Sequence, residues 1–142
     1  MGKKRIVKKT GGGESGNKKS ASRLPKKKLV EGTLYIQATF NNTKGLVTDK
    51  AGNAIFTSSS GALGFRGAKK GTPFAATKVG EVLGEKAKTI GVKNVNVIIK
   101  GVGSGREPLV RAFMAYDIEI TNIRDVTPVP HNGPKAKKPR RV

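Results

Sequence analysis

From Thr33 to Phe40 the chain reads TLYIQATF, with apolar side chains at Leu34, Ile36, Ala38 and Phe40 in a segment rich in β-formers. A period of two over eight residues predicts a half-buried strand. Asn41-Asn42-Thr43 supplies a polar turn, Gly45 to Lys50 predicts a second strand, and Ala51-Gly52-Asn53 turns into a third from Ala54 to Ser59. Three strands in a meander follow. Gly61 to Gly71, GALGFRGAKKG, has four glycines in eleven residues and no periodicity, which predicts a long loop. Thr72 as N-cap and Pro73 at the first helical position then open a helix with apolar residues at Phe74, Ala75, Val79, Val82, Leu83 and Ala87, and Gly91 is its stop. Val95 to Ile99 is mostly apolar and predicts a central strand covered on both faces. After Gly101-Val102-Gly103-Ser104-Gly105 come a second helix, from about Pro108 to Tyr116, and a last strand from Ile118 to about Val126. Phe40, Phe56, Phe74 and Phe113 are expected in the core.

The order βββ-α-β-α-β makes an α/β domain, a mixed five-stranded sheet with two main helices packed on it. The 142 residues suffice for one such domain. It is expected over residues 31–127, after an N-terminal extension at 1–30 that is disordered on its own and before a tail at 128–142. Prolines 128, 130, 134 and 139 keep that tail extended.

Charge changes the picture most. Of 29 Lys and Arg, 11 lie in residues 1–30 beside a single acid, and five lie in residues 131–142 beside none. The stretch between them carries 13 basic against 8 acidic residues, an ordinary mixed surface. A chain of net charge +20 whose excess sits at its two ends calls for a polyanionic partner. With no cysteine, thiolate catalysis, disulfides and thiolate metal sites are excluded, and His131 is the one imidazole. No apolar run approaches the roughly 18 residues a bilayer span needs, and no signal-peptide pattern is found. The expectation is a soluble protein with nucleic acid, not membrane, as its partner.

Gly64-Phe65-Arg66-Gly67-Ala68-Lys69-Lys70-Gly71 sets three cations beside a predicted helix start, where backbone amides and the helix dipole also favour phosphate. A merely solvated basic loop is the plainer alternative. Gly101 to Arg106 sits between strand and helix as nucleotide-binding loops do. The dinucleotide fingerprint, however, needs glycine where Arg106 stands, and no P-loop occurs. A tight turn aiming Arg106 at phosphate or at a neighbouring carboxylate fits better. A meander followed by α/β is also the ribonuclease-H-like arrangement, whose chemistry needs a carboxylate on the first strand. TLYIQATF offers only Gln37 there, and Asp49, Glu107, Asp117, Glu119 and Asp125 lack metal-ligand spacing, so pairing with cations is their expected role. Phe65 either stands exposed in its loop or folds back onto the core.

Five separated stretches, ATFNNT at 38–43, TDKAGN at 48–53, GFRGAKKGTPFAA at 64–76, KGVGSGRE at 100–107 and TNIRDVTPVPHNG at 121–133, resemble the family of small-subunit ribosomal protein eleven, in its order and spacing. The resemblance covers residues 31–142 and is closest to bacterial members, whose RRV ending this chain shares; Val102 and Ser104 stand where family members usually carry proline. It implies a ribonuclease-H-like fold without the active site, on the small-subunit platform near the exit site. It further implies contact with 16S-type ribosomal RNA and neighbouring platform proteins, and a C-terminal tail close to the messenger path. Carried over residue by residue, RNA contacts fall on Asn41, Asn42, Thr43 and the adjoining Lys44, on Arg66, Gly67, Lys69 and Lys70, and on Arg106 and Arg124. In the tail they fall on His131, Asn132, Lys135, Lys137, Lys138, Arg140 and Arg141. Arg23, Lys26, Lys27 and Lys28 join them on charge alone. Bacterial members can bear isoaspartate at the HNG turn, which makes Asn132, in the one Asn-Gly pair of the chain, a modification candidate.

A structural component of the small subunit is thus expected, in the cytoplasm, with no enzymatic activity, cofactor or small-molecule substrate. A free-standing RNA chaperone or DNA-compacting protein would share the composition but bind any long nucleic acid about equally. A metal-dependent hydrolase is the third class, separable by assay.

Overall fold

The computed structural model describes residues 28–141. Strands β1 (Glu31–Ala38), β2 (Thr43–Thr48) and β3 (Ala54–Ser59) lead through a short 3-10 helix, Gly67–Gly71, into helix α1 (Pro73–Ile90). Strand β4 (Asn94–Lys100), helix α2 (Arg106–Met114) and strand β5 (Glu119–Asp125) complete the order βββ-α-β-α-β. The sheet runs β3-β2-β1-β4-β5, antiparallel on the meander side and parallel from β1 through β4 to β5. This is the expected mixed five-stranded α/β fold.

Alternation along the strands decides which face is covered. Leu34, Ile36 and Ala38 of β1, Val47 of β2, Phe56 of β3 and Val95, Val97 and Ile99 of β4 point to one side, where they are buried under the helices. Helix α1 contributes Ala76, Val79, Leu83 and Ala87 at helical spacing, and α2 adds Leu109, Val110 and Phe113. One contiguous core results. The two helices meet closely because α1 carries no side chain where they cross. A β-carbon at Gly80 would lie 2.6 Å from the Leu109 carbonyl oxygen, and one at Gly84 would lie 2.4 Å from the Tyr116 ring.

Helix α1 starts and stops where its local chemistry predicts. Thr72 accepts a hydrogen bond from the Ala75 amide at 3.4 Å, Pro73 occupies the first turn, and Gly91 closes the helix at φ 94°. Several expectations need correction. β4 is flanked by strands on both edges but covered on one face only: Asn96 and Lys100 are exposed. Its apolar look arises because Ile98, half-buried on the open face, fills the gap between Val97 and Ile99. Phe40 and Phe74 are 77% and 63% exposed, whereas Phe56 and Phe113 are core. Phe40 lies beyond β1 in the turn, and Phe74 sits on the side of α1 opposite the buried Ala75 and Ala76. α2 begins at Arg106, two residues before Pro108. β1 spans Glu31–Ala38, two residues earlier than its pattern suggested, because pairing with β4 extends from Glu31 to Gln37.

Candidate nucleic-acid interface

The parallel strands β1, β4 and β5 all end at one pole of the sheet, and four loops gather there. The turn after β1 is closed by Thr39, whose hydroxyl donates to the Asn42 carbonyl at 3.0 Å and accepts from the Asn42 amide at 3.0 Å. Against it lies the Gly101–Gly105 turn. A β-carbon at Gly101, which adopts φ 108°, would be 2.1 Å from the Ala38 carbonyl oxygen, and the Gly103 amide donates to that same oxygen at 2.9 Å. Ser104 donates its hydroxyl to the Gly71 carbonyl at 2.9 Å and so ties this turn to the basic loop. Gly71 in turn packs on Phe40, where a β-carbon would come within 2.0 Å of the carbonyl oxygen.

The fourth loop, after β5, is fastened to the second. Thr127 donates to Asp125 through its hydroxyl at 2.6 Å and its amide at 2.9 Å, and its hydroxyl accepts from the Gly101 amide at 3.1 Å. Arg106 donates to the Gly101 carbonyl at 2.9 Å and pairs with Asp125. Hydrogen bonds from Thr127, then from Arg106, hold the Asp125 carboxyl down at a pKa of about 2. Arg106 thus meets a neighbouring carboxylate, one of the two partners its turn suggested.

Both helices start at this pole, so their N-terminal dipoles point into the loop cluster. Arg66 and Lys69 are exposed there and Lys70 half-exposed, and Gly67 adopts φ 62° to open the 3-10 turn that carries the lysines. Phe65 neither projects freely nor enters the core: it packs edge-to-face on Phe74, with ring centroids 6.1 Å apart, and the Lys78 ammonium stands 5.7 Å above the Phe74 ring. Asn41 is exposed and Asn42 half-buried, with the Asn42 side-chain oxygen left without a hydrogen-bond partner. Thr43 is 0% exposed, packed where Gly105 leaves room for it, so its side chain props the turn and does not face outward.

The remaining candidates lie elsewhere. Lys44 and Arg124 project from the loop-side ends of β2 and β5 onto the open face of the sheet. His131, Asn132, Lys135, Lys137, Lys138, Arg140 and Arg141 are exposed along a tail without regular structure, and Asn132 adopts φ 53°. Lys28 is exposed, while Arg23, Lys26 and Lys27 lie outside the described residues. The acids behave largely as their surroundings suggested: Glu107 pairs with Arg111, Asp117 with Lys88 at 3.0 Å and Asp125 with Arg106. Asp49 instead accepts from the amide and side chain of Asn53 at 2.8 and 2.9 Å, which lowers its pKa. Among the described residues no three His, Cys, Asp or Glu gather as a metal site. Sequence reasoning missed Thr39, Ser104 and Thr127, the hydroxyls that fasten the loops to one another.

A one-sided α/β sheet with cation-bearing loops drawn together at one pole, and with its acids there paired to arginine, presents a surface suited to a polyanion. The family model for Ribosomal protein S11 matches residues 32–141. The chain belongs to that family, and with it to the structural constituents of the small ribosomal subunit.

Proposed function

We propose that this chain binds 16S-type ribosomal RNA on the platform of the small subunit, near the exit site, with its C-terminal tail close to the messenger path. The observation that carries this reading is the convergence at one pole of Arg66, Lys69 and Lys70 with two helix N-termini. Such a surface sets cationic and backbone donors where phosphates can meet them, which suits the shape of folded RNA. The tail from His131 to Arg141 leaves the same pole and adds affinity through counterion release. The basic residues at 23 and 26–28 add to it from the other end of the chain. Neighbouring platform proteins complete its surroundings, in the cytoplasm, and its role is assembly and support with no catalysed reaction.

The deciding experiment is sucrose-gradient sedimentation of lysate at moderate salt, followed by RNA cross-linking of the small-subunit fraction. The chain is expected in that fraction, with cross-links from residues 64–71 and 131–141 to platform helices of the RNA. Recovery in the soluble top fractions with small subunits intact would refute the proposal, as would cross-links to distant RNA domains.

A further inference from the structure

The face of the sheet turned away from the helices is not a plain polar surface. Across its middle, cross-strand neighbours place Thr57, Leu46, Tyr35, Ile98 and Arg124 in one row, because Leu46 pairs with Thr57 and Tyr35, and Ile98 with Tyr35 and Arg124. The next row reads Ser59, Lys44, Gln37 and Lys100. Between the rows lies a hollow of about 470 Å³, bordered by Val126 where the chain leaves β5. Tyr35 is 39% and Val126 42% exposed.

Two features define what can fill it. The floor is apolar: of the polar side chains that line the hollow, Thr57 already donates to the Gly45 carbonyl at 2.9 Å, Lys44 and Lys100 can only donate, and Gln37 is the one amide. A nucleobase pressed into this hollow would find lysine donors for its acceptors but little beyond the Gln37 side-chain oxygen for its own N–H donors, which would be buried short of partners. An aliphatic or aromatic side chain loses nothing there. The rim is cationic: Lys44 and Lys100 flank Gln37 on adjacent strands, Arg124 borders Ile98, and among the described residues none of the three has an ion-pair partner. The two rows contain no acid. A second copy of a chain with net charge +20 is repelled by this rim, and so is its own N-terminal segment, with 11 basic residues against one acidic.

We propose that the open face of the sheet docks a segment of a different protein, one that inserts an apolar side chain over Tyr35, Leu46 and Ile98 and presents an adjacent carboxylate to Lys44 and Lys100. Burial of the anchor supplies the affinity, and the lysines set its register. This rests on the ribosomal reading above, since the partner is a neighbour within the assembled subunit.

The test uses the full-length chain, produced in cells with p-benzoylphenylalanine at position 57 and, separately, at 37, and isolated in small subunits. After irradiation, peptide sequencing by mass spectrometry is expected to find the cross-link on another protein, in a segment with Asp or Glu within a few residues of an apolar side chain. Lys100→Glu should lower that yield about fivefold by replacing one attraction at the rim with repulsion. Cross-links to RNA, to residues 1–27 or to a second copy would overturn the docking site. So would a partner segment lacking a carboxylate, or no cross-link from either position in subunits that contain the chain. Absence of the chain from small subunits is read separately in the gradient; it refutes the ribosomal reading and the docking site with it.

Discussion

The guanidinium of Arg106, at the first residue of α2, closes on the carboxylate of Asp125, at the last residue of β5, across 19 residues of sequence. Because Thr127 donates twice to the same carboxylate while its hydroxyl also accepts from the Gly101 amide, this pair locks the turn after β5 onto the turn after β4. The basic tail therefore departs from a fixed point.

That lock is acid-sensitive. The Asp125 carboxyl is lowered from 3.8 to about 2 in the folded protein, so its ionised form favours folding. Its contribution is fully present above the unfolded value and fades as pH falls from about 4 towards 2. Thermal melts followed by circular dichroism should show the melting temperature dropping over that window. Asp125→Asn should melt lower than the parent at neutral pH and show a shallower drop below pH 4; an equally steep acid limb would place the effect on other carboxylates.

The crossing of α1 and α2 is expected to tolerate no side chain. Gly80→Ala puts a methyl group 2.6 Å from the Leu109 carbonyl oxygen and 2.7 Å from the Ala112 β-carbon. Overpacking of this kind costs about 1–3 kcal/mol, against roughly 1 kcal/mol that alanine gains over glycine within a helix. Urea unfolding should therefore show a lower midpoint, and Gly84→Ala, facing the Tyr116 ring, should behave alike.

Replacing Lys69 and Lys70 together by glutamine should flatten the dependence of RNA affinity on salt without unfolding the domain. Each phosphate contact removed lowers the slope of log affinity against log salt by about 0.7–0.9. Lys88→Gln is the control, since Lys88 lies at the far end of α1 and pairs with Asp117 at 3.0 Å. Removal of residues 1–28, with 11 basic and one acidic residue, should flatten the slope further. Equal slopes for all variants would show that affinity comes from elsewhere on the chain.

Much of this architecture was legible because local chemistry dictates it. Thr72-Pro73 and Gly91 bracket α1 by the physics of helix ends, and Ala54–Ser59 is bounded by turn residues that admit no other reading. What failed was direction. An apolar run such as VNVII cannot say whether its second face is covered, and an aromatic residue such as Phe74 cannot say which side of a helix it takes. What escaped altogether was convergence. Ser104 and Gly71 lie 33 residues apart, and only the completed sheet brings that hydroxyl to that carbonyl.

Asn132 is expected to convert to isoaspartate. The reaction needs the Gly133 amide nitrogen to attack the Asn132 side-chain carbonyl carbon, expelling ammonia and forming a succinimide. Water then opens the ring, chiefly at the former main-chain carbonyl of Asn132, so that the former side-chain carbonyl carries the chain in the β-linked isomer and the main-chain carbonyl is left as a free carboxylate. Glycine removes the β-carbon that would obstruct the attack. The site is exposed, lies in a stretch without helix or strand, and has Pro130 and Pro134 on either side. Asn132 already holds φ 53°, a left-handed conformation that asparagine tolerates better than most residues. Conversion would insert one carbon into the backbone just before Lys135, Lys137, Lys138, Arg140 and Arg141, and so re-aim five cations against the RNA. Fragmentation mass spectrometry that distinguishes isoaspartate should find it at position 132 in peptide from freshly isolated small subunits. Unmodified asparagine there would refute the modification, and isoaspartate confined to aged, free protein would reduce it to storage damage.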